Sequence, residues 1–229
     1  MNDEPRAVAE RYARRGNGGL YSPLEPDVWQ TLHERQRVLL GFLSAAGHHD
    51  LSMLTVTEVG CGSGGNLLEL LRLGFAPAHL TGLELLPQRC AQARAVLPAA
   101  TRLWQGDATQ APLAPASQDL VFAYTVFSSL LDDAFQQRLA DAMWGWLKPG
   151  GAVVWYDFTV DNPRNPDVRG MPARRVAQLF ARGTMRARRV TLAPPIGRRV
   201  VRLTPAAWRL FNAVPLLRTH LLAWIEKPA

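Results

Sequence analysis

The stretch from Leu54 to Asn66, Leu-Thr-Val-Thr-Glu-Val-Gly-Cys-Gly-Ser-Gly-Gly-Asn, constrains this chain more than any other. An apolar strand ends in an acid, and a glycine-rich turn opens a helix. Glycines let a backbone approach a ligand closely. The helix that follows presents free N–H groups and the positive end of its dipole. This is the outline of a nucleotide-cofactor site. Gly60, Gly62 and Gly65 satisfy the dinucleotide fingerprint G-x-G-x-x-G, with Glu84 near the place of its ribose-binding acid. Glu58, Gly60, Gly62 and Gly64 satisfy E-x-G-x-G-x-G equally well. The glycines do not decide between the two.

The surroundings favour the second pattern. A carboxylate at Glu58 would repel a pyrophosphate but suits the cationic amino-acid part of S-adenosylmethionine. Glu84 closes the next strand, His79 to Glu84, placed to accept ribose hydroxyls. Gly106-Asp107-Ala108 follows a third strand and suits the adenine amino group. Asp119 to Tyr124 reads as a fourth strand, and Leu147-Lys-Pro-Gly-Gly151 as a turn before a fifth, Ala152 to Phe158. This ordered set, over residues 50–160, resembles the class I S-adenosylmethionine-dependent methyltransferases. The resemblance implies an α/β fold with helices on both faces of a seven-stranded sheet of order 3-2-1-4-5-7-6, its last two strands antiparallel. It implies S-adenosylmethionine as cofactor, held by Glu58, Gly60, Cys61, Gly62, Gly64, Glu84, Leu85, Asp107 and Ala108, with Tyr124 at the end of the fourth strand. Cys61 offers backbone more than thiol. Arg89 either pairs with Glu84 or is a solvated helix residue.

Periodicity supports the architecture. Strands are expected near 53–59, 79–84, 101–105, 118–124 and 151–158, and helices near 64–73, 87–97 and 132–146. Such alternation implies a parallel sheet with ligand loops at its carboxyl edge. Two earlier helices, 5–15 and 27–46, flank a Gly16–Gly19 loop and form an N-terminal cap, residues 1–47. A helix over 172–181, a strand Ala187–Leu192 and a last strand Thr219–Glu226 complete one domain, 1–229. Residues 193–218 are longer than the family's short hairpin. They read as an inserted cap over the acceptor, with a helix capped by Thr204, started by Pro205 and stopped by Pro215.

Methyl transfer is an in-line displacement in which positioning does most of the work, so no universal catalytic residue is expected. His33, His220 and Asp157 are the general-base candidates, and a structural role is the alternative for each histidine. Phe127, Tyr156, Asn162, Arg169 and Trp208 are candidates for the acceptor. The segment after the fourth strand, Tyr124 to Ser129, lacks the Asn/Asp-Pro-Pro-aromatic pattern of enzymes that methylate nucleobase or glutamine nitrogens. The sequence holds no metal-ligand cluster and sets no oligomeric state.

Charge is uneven. From Val160 onward thirteen Arg and one Lys face Asp161, Asp167 and Glu226, a net of +11 within an overall +7. This is either compositional bias or a basic face for an anionic partner. The leading expectation is a cytoplasmic methyltransferase of a small-molecule acceptor, oxygen favoured, anionic and glycan- or lipid-linked. Weak, salt-sensitive membrane attachment is expected, and no stable nucleic-acid complex. An RNA or protein methyltransferase, a non-catalytic scaffold and a nicotinamide oxidoreductase are the competing readings.

Overall fold

The computed structural model describes residues 3–14, 22, 24–163, 165–202 and 204–229. The expected Gly16–Gly19 loop and Arg164 lie outside them. The chain runs α1 (Glu4–Arg14), α2 (Pro26–Ala45), β1 (Val56–Val59), α3 (Gly65–Arg72), β2 (Leu80–Glu84), α4 (Pro87–Val96) and β3 (Arg102–Gln105). It continues with β4 (Gln118–Tyr124), α5 (Asp133–Trp146), β5 (Leu147–Phe158), α6 (Ala173–Leu179) and β6 (Thr184–Leu192). It ends with α7 (Pro194–Val200), α8 (Pro205–Asn212) and β7 (Arg218–Glu226).

One seven-stranded sheet has the order β3-β2-β1-β4-β5-β7-β6, as expected. β1 to β5 are parallel, and β7 lies antiparallel between β5 and β6. β1 and β2 are buried throughout, which is why they read as apolar runs rather than alternating ones. Along β4 successive side chains divide between two cores. Val121 and Ala123 join α1, α5 and α6 on one face, whereas Phe122 and Tyr124 join α2, α3 and α4 on the other.

The carboxyl half departs from expectation in three places. β5 starts at Leu147, not Ala152: Leu147 pairs with Gln118, and the Gly150 N–H donates to the Lys227 carbonyl at 3.0 Å. The Gly150 turn (φ +76°) is thus absorbed into the strand. β6 starts at Thr184 because β7 offers a partner along its whole length, from Glu226 to Arg218. Finally, α7 precedes the one helix expected in the insert. Pro194-Pro195 and Gly197 read as breakers, but proline is tolerated in a first helical turn. Gly197 is buried where α7 meets α2, and a Cβ there would make only an ordinary contact with Asp27 at 3.6 Å, so the close approach does not depend on the glycine. α8 starts as expected, with Thr204 Oγ1 accepting the Ala206 N–H, but ends at Asn212. Pro215 opens a separate 3-10 turn.

Candidate cofactor and acceptor site

β1 delivers the chain to the glycine turn, where Gly60, Gly62 and Gly64 take φ values of +66°, +58° and +88°. L side chains rarely adopt that region. At Gly60 a Cβ would also stand 2.7 Å from Val126 Cγ2. The turn is tied to β2 by the Gly62 N–H, which donates to Glu84 Oε2 at 2.8 Å. The Leu86 N–H donates to Glu84 Oε1 at the same distance. Both carboxylate oxygens are thereby oriented, and each keeps a lone pair for a further donor.

A cavity with about 780 Å³ of empty volume, partly open to solvent, lies at the carboxyl ends of β1, β2 and β4. That size suits a small ligand. Among the expected cofactor residues, Gly60, Glu84, Leu85, Arg89, Asp107, Ala108 and Tyr124 line it. Glu58, Cys61, Gly62 and Gly64 stand behind that wall. Cys61 is buried against Gly82, and burial pushes its thiol pKa up, so its thiol is inert packing. Asp107 accepts the Thr109 N–H at 2.9 Å. Arg89 forms no ion pair with Glu84 among the described residues. Its guanidinium instead stacks 4.9 Å from the Tyr12 ring.

Tyr12 belongs to α1, which roofs the cavity with Pro5 and Val8. The roof is pinned by charge. Glu4 and Arg11 form a buried pair, Glu4 accepts the Leu131 N–H at 2.7 Å, and Arg11 donates to the Ser129 carbonyl at 3.0 Å.

Behind the glycine turn a polar chain crosses the second core. Arg35 Nη2 donates to Asn66 Oδ1 at 2.9 Å and to Glu69 Oε2 at 3.0 Å. Asn66 Nδ2 donates to Glu58 Oε1 at 2.6 Å. Glu58 Oε2 is buried with no hydrogen-bond partner among the described residues. Burial pushes the Glu58 pKa up to about 8, against the pull of Asn66 and of Arg35. Burial works against the Arg35 charge, but Glu69, Tyr124 and Tyr156 together offset it and leave its pKa raised. Sequence reading missed Arg35 and Asn66. Arg35 had a signal: it lies three residues after Leu32 and four before Leu39, on the apolar stripe of α2.

The Arg35 guanidinium lies 4.8 Å from the Tyr124 ring and 5.3 Å from that of Tyr156. Tyr156 stacks on His220, 5.0 Å apart. Burial, then the Arg35 charge, lowers the His220 pKa to about 4. The Tyr124 hydroxyl is buried without a partner among the described residues. Tyr124 therefore joins the cavity wall to this aromatic group, where β4, β5 and β7 meet.

The other candidates lie apart. Asp157 accepts the Ser128 N–H at 3.0 Å and the Phe158 N–H at 2.9 Å within the opposite core. Burial raises its pKa to about 7. Phe127 is fully buried, 4.5 Å from the Trp155 ring. Arg169 pairs with Asp133 on α5, and Asn162 sits in the exposed loop after β5. His33 packs edge-on to Trp29 at 4.2 Å. Trp208, 2% exposed, is a core residue of the insert rather than part of the cavity wall. Among the described residues no group of three or more His, Cys, Asp or Glu could hold a metal.

Residues 56–151 match the family described as "Methyltransferase domain". Trans-aconitate 2-methyltransferase of Paracidovorax citrulli is 32% identical over 156 residues, which are 68% of this chain and 54% of that protein. The chain thus spans about half the length of this curated relative. Geranyl diphosphate C-methyltransferase from Streptomyces coelicolor superposes with a TM-score of 0.67 at 15% identity, covering 100% of this chain and 99% of that one. An S-adenosylmethionine-dependent methyltransferase from Mesorhizobium loti gives 0.60 at 16% identity, over 82% and 96%.

Proposed function

We propose, from the premise that the chain belongs to the class I S-adenosylmethionine-dependent methyltransferases, that it methylates an oxygen of a small carboxylate acceptor. The observation that carries the reading is the environment of Tyr124, which lines the cofactor cavity and contacts the Tyr156–His220 stack. The acceptor would sit in the cavity beside Tyr124, at the end of β4, with the stack behind it.

The residues fit the cofactor. Gly60 leaves a cradle that a Cβ would fill, and Glu84 is oriented by two backbone donors with lone pairs to spare. The unpartnered Glu58 Oε2, behind the cavity wall, suits a cationic amino group through a bridging water once the carboxyl has given up its proton. The sulfonium supplies both the methyl group and the leaving group. What remains for the protein is to align the acceptor and exclude water, which α1 serves as a roof.

The base candidates argue for an acceptor that is already ionised. A histidine held near pKa 4 is neutral at pH 7 but a poor proton acceptor. Asp157 is spent on the Ser128 and Phe158 amides. A carboxylate needs no base. Trans-aconitate, in the name of one relative, is such an acceptor, and a diphosphate in the name of another is also an anion. In this reading His33, His220 and Asp157 are structural. The unpaired Cys61 and Cys90 suit a cytoplasmic setting.

The test is methyl transfer to a panel of carboxylates, trans-aconitate among them, beside phenols and amines. An alkali-labile ester, formed with saturating cofactor at a rate flat between about pH 6 and 9, is expected. Transfer to phenols or amines alone would overturn the carboxylate reading. For the cofactor, Glu84→Ala removes charge-assisted hydrogen bonds of roughly 1.5–3 kcal/mol each. Calorimetry should show S-adenosylhomocysteine binding at least about 100-fold weaker.

A further inference from the structure

The insert carries a surface that the reaction does not use. Among the described residues, none from 193 to 218 lines the cofactor cavity. α8 turns Trp208 and Asn212, four residues apart, toward α2 and β6. The face left outward is apolar: Leu210 is 71% exposed, Phe211 40%, Val214 45% and Leu216 84%. Leu210 and Phe211 are consecutive on α8, the Val214 N–H donates to the Phe211 carbonyl at 3.1 Å, and the 3-10 turn Pro215–Leu217 that follows carries Leu216. A soluble helix ordinarily turns polar residues outward, and clustered exposed apolar side chains mark a contact surface.

The charge around the patch selects its occupant. From Ala193 to Leu217 there is no Asp or Glu, but there are four arginines. Arg198 stands 3.9 Å from Asp27. Arg199, Arg202 and Arg209 are exposed and form no ion pair among the described residues. Apolar side chains flanked by unpaired arginines match the boundary of an anionic bilayer, where the leucines enter the acyl region and the guanidinium groups reach the headgroups. No helix among the described residues is long and apolar enough to cross a membrane, so attachment would be peripheral.

We infer that the outer face of α8 and the turn after it, Leu210, Phe211, Val214 and Leu216 flanked by Arg199, Arg202 and Arg209, docks the protein on an anionic lipid surface. This is independent of the acceptor reading: one concerns the cavity under α1, the other the outward face of α8, no residue of which lines that cavity among the described residues. Either can fail alone.

The experiment is sedimentation of the full chain with vesicles of phosphatidylcholine, with or without an equal amount of phosphatidylglycerol. Binding is expected to the anionic vesicles only, and to be reversed by salt. Arg202→Gln and Arg209→Gln should each weaken it about fivefold. Leu210→Ser/Leu216→Ser should weaken it at least about tenfold. All four positions are exposed, so S-adenosylhomocysteine affinity, measured alongside, should stay unchanged and report an intact fold. Equal sedimentation with neutral vesicles, or none with either, overturns the proposal. So does a dimer of the parent protein that Leu210→Ser/Leu216→Ser dissociates, since the patch would then face a second copy. RNA binding that needs the arginines but not the leucines would likewise reassign the surface.

Discussion

Two accessory regions cover this sheet, and they are built differently. α1 lies over the cofactor cavity and is held by a buried charge pair, Glu4 with Arg11, whose remaining bonds go to the loop after β4. The α7–α8 insert lies outside the cavity and is held by a carboxylate on another helix. Glu34 of α2 accepts the Thr191 N–H at 2.7 Å and the Asn212 Nδ2–H at 2.7 Å. Thr191 is a non-glycine residue at φ +64°, a conformation the chain holds there with the Glu34 bond in place. The insert was expected to close over the acceptor because it is long. Its apolar residues instead divide between a core formed with α2 and β6 and an open surface. Length says that a segment needs a place to pack, but the face it offers says where.

The largest effect expected from breaking this contrast is at the roof. Arg11→Ala leaves Glu4 buried and the Ser129 carbonyl without its donor. Removing one partner of a buried pair costs about 3–5 kcal/mol. A denaturant midpoint would read this loss, and calorimetry should show S-adenosylhomocysteine affinity falling with it, because Pro5, Val8 and Tyr12 form the cavity wall. Unchanged affinity in a folded Arg11→Ala protein would show that α1 is not a functional roof.

Glu34→Ala is the counterpart. It removes two hydrogen bonds to a charged acceptor, worth roughly 1.5–3 kcal/mol each. Stability should fall by a few kcal/mol while S-adenosylhomocysteine affinity stays within about twofold. If cofactor affinity collapses too, the two caps are coupled and the contrast fails.

The effect that is smallest per step, because it is spread over several pH units, is pH-linked. Glu58 is pushed up to about 8 in the folded chain from an ordinary 4.5. Between those values the folded state holds a proton that the unfolded state has released. The contribution of this group is therefore full below about pH 4.5 and lost as pH rises to about 8, with a slope of at most about 1.4 kcal/mol per pH unit. Asp157, raised to about 7, acts in the same sense over a window that closes sooner. Urea melts from pH 5 to 8 should show the decline in the ligand-free protein, and Glu58→Gln should make it shallower, leaving the part below about pH 7 that belongs to Asp157. If the cofactor's ammonium group engages Glu58, binding at pH 7 should release a proton. Calorimetry in buffers of different ionisation enthalpy would detect that release, and Glu58→Gln should abolish it.

The cofactor half was legible because its determinants are local. The glycines at 60, 62 and 64 announce left-handed backbone, an acid stands next to the end of β1 and another closes β2, and short apolar runs alternating with helices announce a parallel sheet. The family match, residues 56–151, covers the same part of the chain. The sequence by itself thus determined the sheet, its order through the resemblance, and the cofactor. Tertiary structure alone decided the rest. Arg35, Glu69, Tyr124, Tyr156 and His220 meet only when α2, α3, β4, β5 and β7 pack together. Burial then moves the His220 and Glu58 pKa values in opposite directions, away from the charged form in each case. Whether an apolar side chain is core or surface was equally undetermined by pattern: Trp208 and Leu210 lie two residues apart on one helix, and only what α8 packs against separates them.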